Sequence, residues 1–574
     1  MKRVLAVGTL LLLGGLISAC GTTPTTSSTT TNISDTAQIA IAMQPDESPN
    51  WFFPVLSSTA YSTLNLQVDS LMYKPLLDIT GTDSIDYKRS LAKSVTWNAA
   101  GTQFVIHLNP KYHWSDGRPV TAKDVVFAWD IMKDASSGAS NLPWSYGGAG
   151  IGGVPTDWAS VRAQNARTVV VNVTKPVNQQ WFLRNGLGQL YPVPAFVWDK
   201  YPNNAAQELK FILGVANSPT APEYRVVDGP YKFSAMEANR YWSLVRNSSY
   251  DGHKATIHKV TFQYETSSAS EFAALKNGTV TYGYLPYSLW KERHNLGSDK
   301  MTTEYVFGFN FMPINFNSAA PGGIGLAFQQ LYVRQALQMG IDQVGISNTL
   351  FHGQAVPEDG PVPAKPSTIF YDPALKKPLY PYDIARGQQL LEKHGWKLVK
   401  GVMTKNGRRL AFTLVYLSGS NTEANIVQLL KVDWAKEGIQ VSLEAEPFDT
   451  VIADINQVQA SKWAMALVGP GWSYEPDYYP SGGGLFATGS GANYGGYSSG
   501  TMNGLIQKTY LPGSQAAALQ RLDAYQQYAA QNLPVLWMPL QPAFVVYAGG
   551  LHGVLSTMDP VSDLLAINRW TLSR

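Results

Sequence analysis

Two carboxylates, separated by a single proline, stand in Gly471-Trp472-Ser473-Tyr474-Glu475-Pro476-Asp477, the stretch of this chain best furnished for recognising charge. A carboxylate held away from water takes charge-assisted hydrogen bonds from an ammonium group. Glu475 and Asp477 also have the residue types of a glycosidase acid and base, but two neighbours on one loop do not define the separation that chemistry needs. Gly496-Tyr497-Ser498-Ser499-Gly500 has the form of a hydrolase nucleophile elbow. The stretch before it, Gly491-Ala492-Asn493-Tyr494, reads as loop rather than apolar strand, so an elbow is not expected. Gly148-x-Gly150-x-x-Gly153 has dinucleotide-loop spacing but follows Pro143-Trp144-Ser145-Tyr146 instead of a strand. No Gly-Lys dipeptide occurs, which excludes a Walker phosphate loop. The closest histidines, His107 with His113 and His253 with His258, have neither metal-ligand spacing nor cysteine support. No catalytic residue, metal or cofactor is expected from these motifs.

The elements around these residues are mixed α/β. An apolar strand over 463–468 delivers the Gly471 stretch, and a Gly/Ser/Tyr-rich loop over 469–500 follows it. Strands are expected at 38–42, 95–97, 103–108, 168–173, 241–246, 260–264, 440–445, 535–538 and 543–547, with 231–233 pairing 241–246 as a hairpin. Thr121-Ala122-Lys123-Asp124 ahead of Val125-Val126-Phe127 is a capping box opening a helix. Further helices are expected over 333–341, 384–394, 423–436 and 516–533. The chain carries 16 Trp, 30 Tyr and 21 Phe, an aromatic supply that suits both a large core and the walls of an organic-ligand site.

Composition fixes the setting. The formal charge of +3 in 574 residues, two units of it from Lys2 and Arg3, gives no basic footprint for nucleic acid. Lys2-Arg3, the apolar run 4–17 and Ser18-Ala19 have the order of a secretory signal, and the only cysteine, Cys20, stands at its end. A Thr/Ser tract over 20–36 has too little apolar content to fold and reads as a tether. The globular part is expected from 37 onward. With one cysteine, no intramolecular disulfide can form.

Two groups of residues go beyond composition. Leu16-Ile17-Ser18-Ala19-Cys20 resembles the bacterial lipobox, which implies a lipid on Cys20 and an extracytoplasmic, membrane-anchored location. The run Leu91-Ala92, Thr96-Trp97, Phe104-x-Ile106-x-Leu108, Trp114-Ser115-Asp116-Gly117 and Val120-Thr121-Ala122-x-Asp124-Val125 resembles the signature of family 5 solute-binding proteins of ABC importers. Tyr73-x-Pro75-Leu76, Gly229-Pro230-Tyr231, Val333-Arg334-Gln335-Ala336-Leu337 and Asn493-x-x-Gly496-Tyr497 fall in the order that family requires. The resemblance implies a periplasmic-binding-protein-like α/β fold of the class II (cluster C) type, with two hinged lobes and an extra domain. The implied divisions are 37–77 with 226–311 and 535–574 as domain I, 78–225 as domain II, and 312–534 as domain III. Crossovers near 311–317 and near 534 form the hinge. The implied function is capture of a short peptide and its delivery to a permease and ATPase in separate chains, by a monomer with no enzymatic activity. A nickel chelate or oligosaccharide remains an alternative ligand, and a lipid-anchored hydrolase an alternative class.

The resemblance also implies site residues. Family members meet the ligand's α-ammonium with an acid just after a Gly-Trp pair, the spacing at which Glu475 stands. They often carry a separate Asp-Pro-Asp afterwards, whereas this chain has only Glu475-Pro476-Asp477. Glu475 is therefore either the ammonium acceptor or a loop-capping residue. Trp472, Asp477, Asn50, Trp51, Trp144, Tyr146 and Trp537 complete the expected ligand contacts, with burial in the core as the competing role for each aromatic residue.

Overall fold

The computed structural model describes residues 36–573, apart from 45–46, 139–140 and 470. Cys20, the expected signal and nearly all of the expected tether lie outside the described residues. No described helix is long and apolar enough to cross a membrane.

The first strand, Gln38–Ala42, alternates toward a buried face and sits inside a seven-stranded sheet rather than at its edge. The order across that sheet is Lys300–Glu304, Ala543–Tyr547, Tyr282–Tyr284, Gln38–Ala42, Lys259–Gln263, Tyr241–Arg246 and Tyr231–Glu237. Gln38–Ala42 runs parallel to both of its neighbours, and the last two strands form the expected hairpin. Asn239, with φ +59, turns that hairpin, a backbone region asparagine tolerates better than most residues.

A four-stranded antiparallel sheet follows, ordered Ala92–Trp97, Gln103–Leu108, Thr168–Val173 and Trp158–Asn165. The helix Ala122–Asp134 begins at the predicted capping box, with Asp124 accepting from the Thr121 N–H at 2.7 Å. It buries Val125, Ala128, Trp129 and Met132, one helical face. Trp129 stacks on Trp158 of the sheet, with ring centroids 4.4 Å apart.

The third unit is a parallel sheet of Gln440–Glu446, Ala411–Leu417 and Met465–Leu467. Parallel neighbours need a crossover, and the helix Asn421–Lys436 supplies it. The last strand is shorter than the expected 463–468, and Trp463, before it, gives its indole N–H to the Asn456 carbonyl at 3.1 Å.

Between these sheets lies a small antiparallel one. Gly308–Met312 is its central strand, with Trp472–Ser473 on one side and Leu536–Met538 on the other. The chain thus leaves the large sheet after Lys300–Glu304 and re-enters it at Ala543–Tyr547 through two adjacent, hydrogen-bonded strands.

Candidate functional site

Glu475 hangs from this junction. Gly471, with φ +94, lets Trp472–Ser473 lie against Gly308–Met312, and a Cβ there would fall 2.2 Å from the Phe309 carbonyl oxygen. Two residues beyond the short strand, the Glu475 side chain meets a small cavity of about 20 Å³. Tyr61, Tyr146, Tyr191 and Tyr478 share its lining, with Leu56 and Gln189. These residues come from four separate stretches of chain. A bridge between Ser57 and Tyr146 ties the first two, with the Gly147 N–H donating to the Leu56 carbonyl at 3.0 Å. Tyr61 fits because residue 147 has no side chain: a Cβ there would lie 2.3 Å from its ring.

Glu475 is one of several carboxyls, with Asp69, Glu358 and Asp477, raised well above the usual range. Burial pushes its carboxyl well above the usual carboxylate range, and the negative fields of Asp563 and Asp559 push the same way. The Tyr478 hydroxyl, donating at 3.4 Å, opposes this weakly. Among the described residues no Lys, Arg or His lies within ion-pair distance of Glu475. Burial also raises Tyr61, Tyr146, Tyr191 and Tyr478, so the surrounding phenols stay neutral. The arrangement is an acidic group among neutral tyrosines, with the negative fields of Asp559 and Asp563 behind it, suited to receiving a cationic donor.

The structure distributes the other expected contacts differently. Tyr146 reaches the cavity and donates to Gln189 Oε1 at 2.8 Å. Asp477 is buried outside the cavity lining, where burial raises its carboxyl and Asn185 Nδ2 donates to it. Asn185 also exchanges hydrogen bonds with the Tyr479 main chain, at 2.7 and 3.0 Å. Asp477 therefore ties 78–225 to 312–534. Nearby, Asn178 Nδ2 donates to the Thr509 carbonyl at 2.9 Å, and Trp181 packs on Tyr510 with ring centroids 4.7 Å apart.

Trp51 and Trp144 meet each other edge to face at 5.2 Å instead of lining the cavity. Each indole N–H is satisfied by main chain, Trp51 by the Phe53 and Val55 carbonyls and Trp144 by Leu209. Asn50 is exposed and exchanges hydrogen bonds with Asn65. Trp537 is buried against Phe309 and Phe486 at the crossover. Trp472 is half-buried in the strand beside Phe309, its indole N–H unpartnered. Tyr61, Tyr191 and Gln189 belong to no motif read from the sequence. Tyr478 could have been found, as an aromatic residue directly after Glu475-Pro476-Asp477.

The two enzyme-like patterns have structural roles. Ser499 caps the helix Gly500–Thr509, and the exposed Ser498 contacts Thr488 Oγ1 at 3.4 Å. Gly148–Gly153 ends in the single turn Ile151–Gly153 and leads into a strand rather than a helix.

The family model for bacterial extracellular solute-binding proteins, family 5 Middle, matches residues 86–492. Oligopeptide-binding protein AppA of Bacillus subtilis is 22% identical over 531 residues, covering 91% of this chain and 90% of the relative. Its structure in complex with a nonapeptide superposes with a TM-score of 0.74 at 18% identity, over 94% of this chain and 99% of that one. NikZ of Campylobacter jejuni, in complex with Ni(L-His), superposes with a TM-score of 0.71 at 20% identity, over 94% and 99%. The fold is that of a two-lobed, mixed α/β periplasmic binding protein. With the greater part of its length matched by the family model, the chain belongs to the family 5 bacterial extracellular solute-binding proteins.

Proposed function

We propose that this protein captures short peptides at the Glu475 cavity, with the carboxylate receiving the peptide's α-ammonium, and delivers them to an ABC permease. The observation that carries the reading is the Glu475 carboxyl, without a counter-charge among the described residues, in an enclosure of neutral tyrosines. A buried carboxyl without a counter-charge is costly, and an incoming ammonium supplies both charge and donors. The same field opposes a polyanionic chelate: Asp559 and Asp563 add negative charge around Glu475. The relatives' peptide ligand, as in the AppA complex, agrees with this chemistry.

In this reading 37–77, 226–311 and 535–574 form one lobe, 312–534 the other, and 78–225 an added domain. The paired strands Gly308–Met312 and Leu536–Met538 serve as the hinge. Closure around the ligand is a population shift that the ligand's contacts to both lobes drive. A lipid on Cys20 keeps the monomer beside its permease and ATPase, which are separate chains. The test is to incubate purified protein with a peptide pool and identify retained species by mass spectrometry. Intact peptides with free amino termini are expected; cleaved products released with turnover would overturn the reading in favour of a hydrolase.

A further inference from the structure

A one-sided charge stands on the surface over 393–409. Lys393, Lys397, Lys400, Lys405, Arg408 and Arg409 fall in that stretch, which contains no Asp or Glu. The whole chain carries only +3, so the excess is local. Three short antiparallel strands carry it: Lys397–Val399, Val402–Lys405 and Arg408–Arg409. The platform beneath is firm. Val402 and Met403 are buried, and the Met403 N–H donates to the Gly438 carbonyl at 2.8 Å, just past the helix Asn421–Lys436. The outer hairpin presents Lys397 and Lys400 to solvent, and between them Leu398 and Val399 are 53% and 50% exposed.

Several of these residues work against the stability of the sheet. Its two turns have the same left-handed form, Asn406-Gly407 at φ +52 and +75 and Lys400-Gly401 at φ +50 and +79. Asparagine suits the first position of such a turn and lysine does not. Lys405 and Arg408 stand directly opposite in register, a like-charge pairing that destabilises a sheet. Lysine on an edge strand guards against pairing with another chain, but Leu398 and Val399 on the same edge undo that guard.

The cations also lack counter-charges. None of the six lies within 4.0 Å of a carboxylate among the described residues. Lys405 donates to the Tyr332 hydroxyl at 3.3 Å, Arg408 to the Gly323 carbonyl at 3.4 Å and Arg409 to Gln440 Oε1 at 2.7 Å, all neutral acceptors. Cations alone fit any polyanion. An apolar pair flanked by lysines at an exposed hairpin end fits a bilayer more closely: headgroup phosphates meet the ammonium groups while the apolar side chains enter the acyl boundary. A polyanion in solution would leave Leu398 and Val399 wet.

We propose that this hairpin sheet is a membrane-contact surface that rests on anionic lipid headgroups, with Leu398 and Val399 dipping into the apolar boundary. The inference goes beyond the peptide reading and stands without it. A chain tethered at its amino terminus can face the bilayer in many ways, and this surface selects one.

The test is co-sedimentation of the full-length Cys20→Ser protein, in which no acyl chain can carry the binding, with vesicles of phosphatidylcholine alone or mixed equally with phosphatidylglycerol. Binding is expected to the anionic vesicles only, and high salt should abolish it. Lys397→Gln with Lys400→Gln should weaken it by about 30-fold, the scale of two basic groups near an anionic surface. Leu398→Ser with Val399→Ser should weaken it by about tenfold. Lys400→Asn should weaken it by about fivefold while holding or raising the Tm, because asparagine suits the turn. That variant decides if the double substitutions do not fold. No binding by the parent protein, equal binding to neutral and anionic vesicles, or unchanged binding in Lys400→Asn overturns the inference. Displacement from vesicles by soluble poly-glutamate, with Leu398→Ser and Val399→Ser without effect, assigns the surface to an acidic protein and overturns it as well. A protein that binds anionic vesicles but retains no peptide refutes the peptide reading and leaves this inference standing.

Discussion

Glu475→Gln is the sharpest perturbation of the tyrosine-lined cavity, because glutamine keeps the shape and can still accept from Tyr478 while losing the charge. Hydrogen bonds to charged groups contribute about 1.5–3 kcal/mol, which corresponds to about 10- to 150-fold in affinity. Peptides with a free amino terminus should weaken by that factor, and acetylated peptides should change less than about threefold, within the spread of near-neutral substitutions. Protons give an independent readout. Burial holds the Glu475 carboxyl well above the usual range, so below that raised value it is protonated and must release its proton to receive an ammonium. Affinity for free-amine peptides should therefore rise with pH up to the raised value and then level off. Calorimetry below that raised value, in two buffers of different ionisation enthalpy, should show proton release in the wild type that Glu475→Gln lacks. Equal losses for free and acetylated peptides, or identical proton release in both proteins, would refute the ammonium role.

Other outcomes follow from the same geometry. Glu437 is fully buried beside Gly340 and Gly387, both carboxyl oxygens lack partners, and burial lifts it to about 9. A carboxyl raised in the folded state contributes most below its unfolded value and loses that contribution as pH rises through its folded value. The Tm should fall from about pH 5 to pH 9, and Glu437→Gln should flatten the fall in thermal-melt measurements. Asn185→Ala leaves Asp477 buried without its partner, at a cost of about 1–3 kcal/mol, and should lower both Tm and peptide affinity in melts and calorimetry. Gly471→Ala drives a methyl into the Phe309 carbonyl and should abolish binding or folding, as circular dichroism and titration would report. Cys20→Ser should move the protein from the membrane to the soluble fraction with its peptide affinity unchanged, as fractionation and titration would report.

The local grammar of this chain was readable. Thr121 and Asp124 announced a helix, and Tyr231–Glu237 paired with Tyr241–Arg246 as their alternation predicts. These depend on neighbours in sequence. The site was only half readable, since Glu475 stands out by type and spacing but its enclosure does not. Tyr61 and Tyr191 lie hundreds of residues away and meet it only in the folded chain. The tryptophans show the converse. Trp51 and Trp144 are expected at the ligand from the family resemblance, and the structure packs them against each other with each indole N–H on a main-chain carbonyl, a pairing no residue type announces.

The position of Gln38–Ala42 inside the seven-stranded sheet bears on how the molecule is made. Its neighbours arrive more than two hundred residues later, and Ala543–Tyr547 inserts between Tyr282–Tyr284 and Lys300–Glu304 only near the end of synthesis. The four-stranded sheet over Ala92–Val173 is contiguous in sequence and can form from a nascent chain, but the large sheet must wait for both ends. Until then the edges of Tyr282–Tyr284 and Lys300–Glu304 stand unpaired, the kind of exposed strand that invites association with other chains. Truncation between residue 500 and Ala543 would thus leave a protein with its ligand loop present and an open sheet, prone to aggregate before it could bind anything.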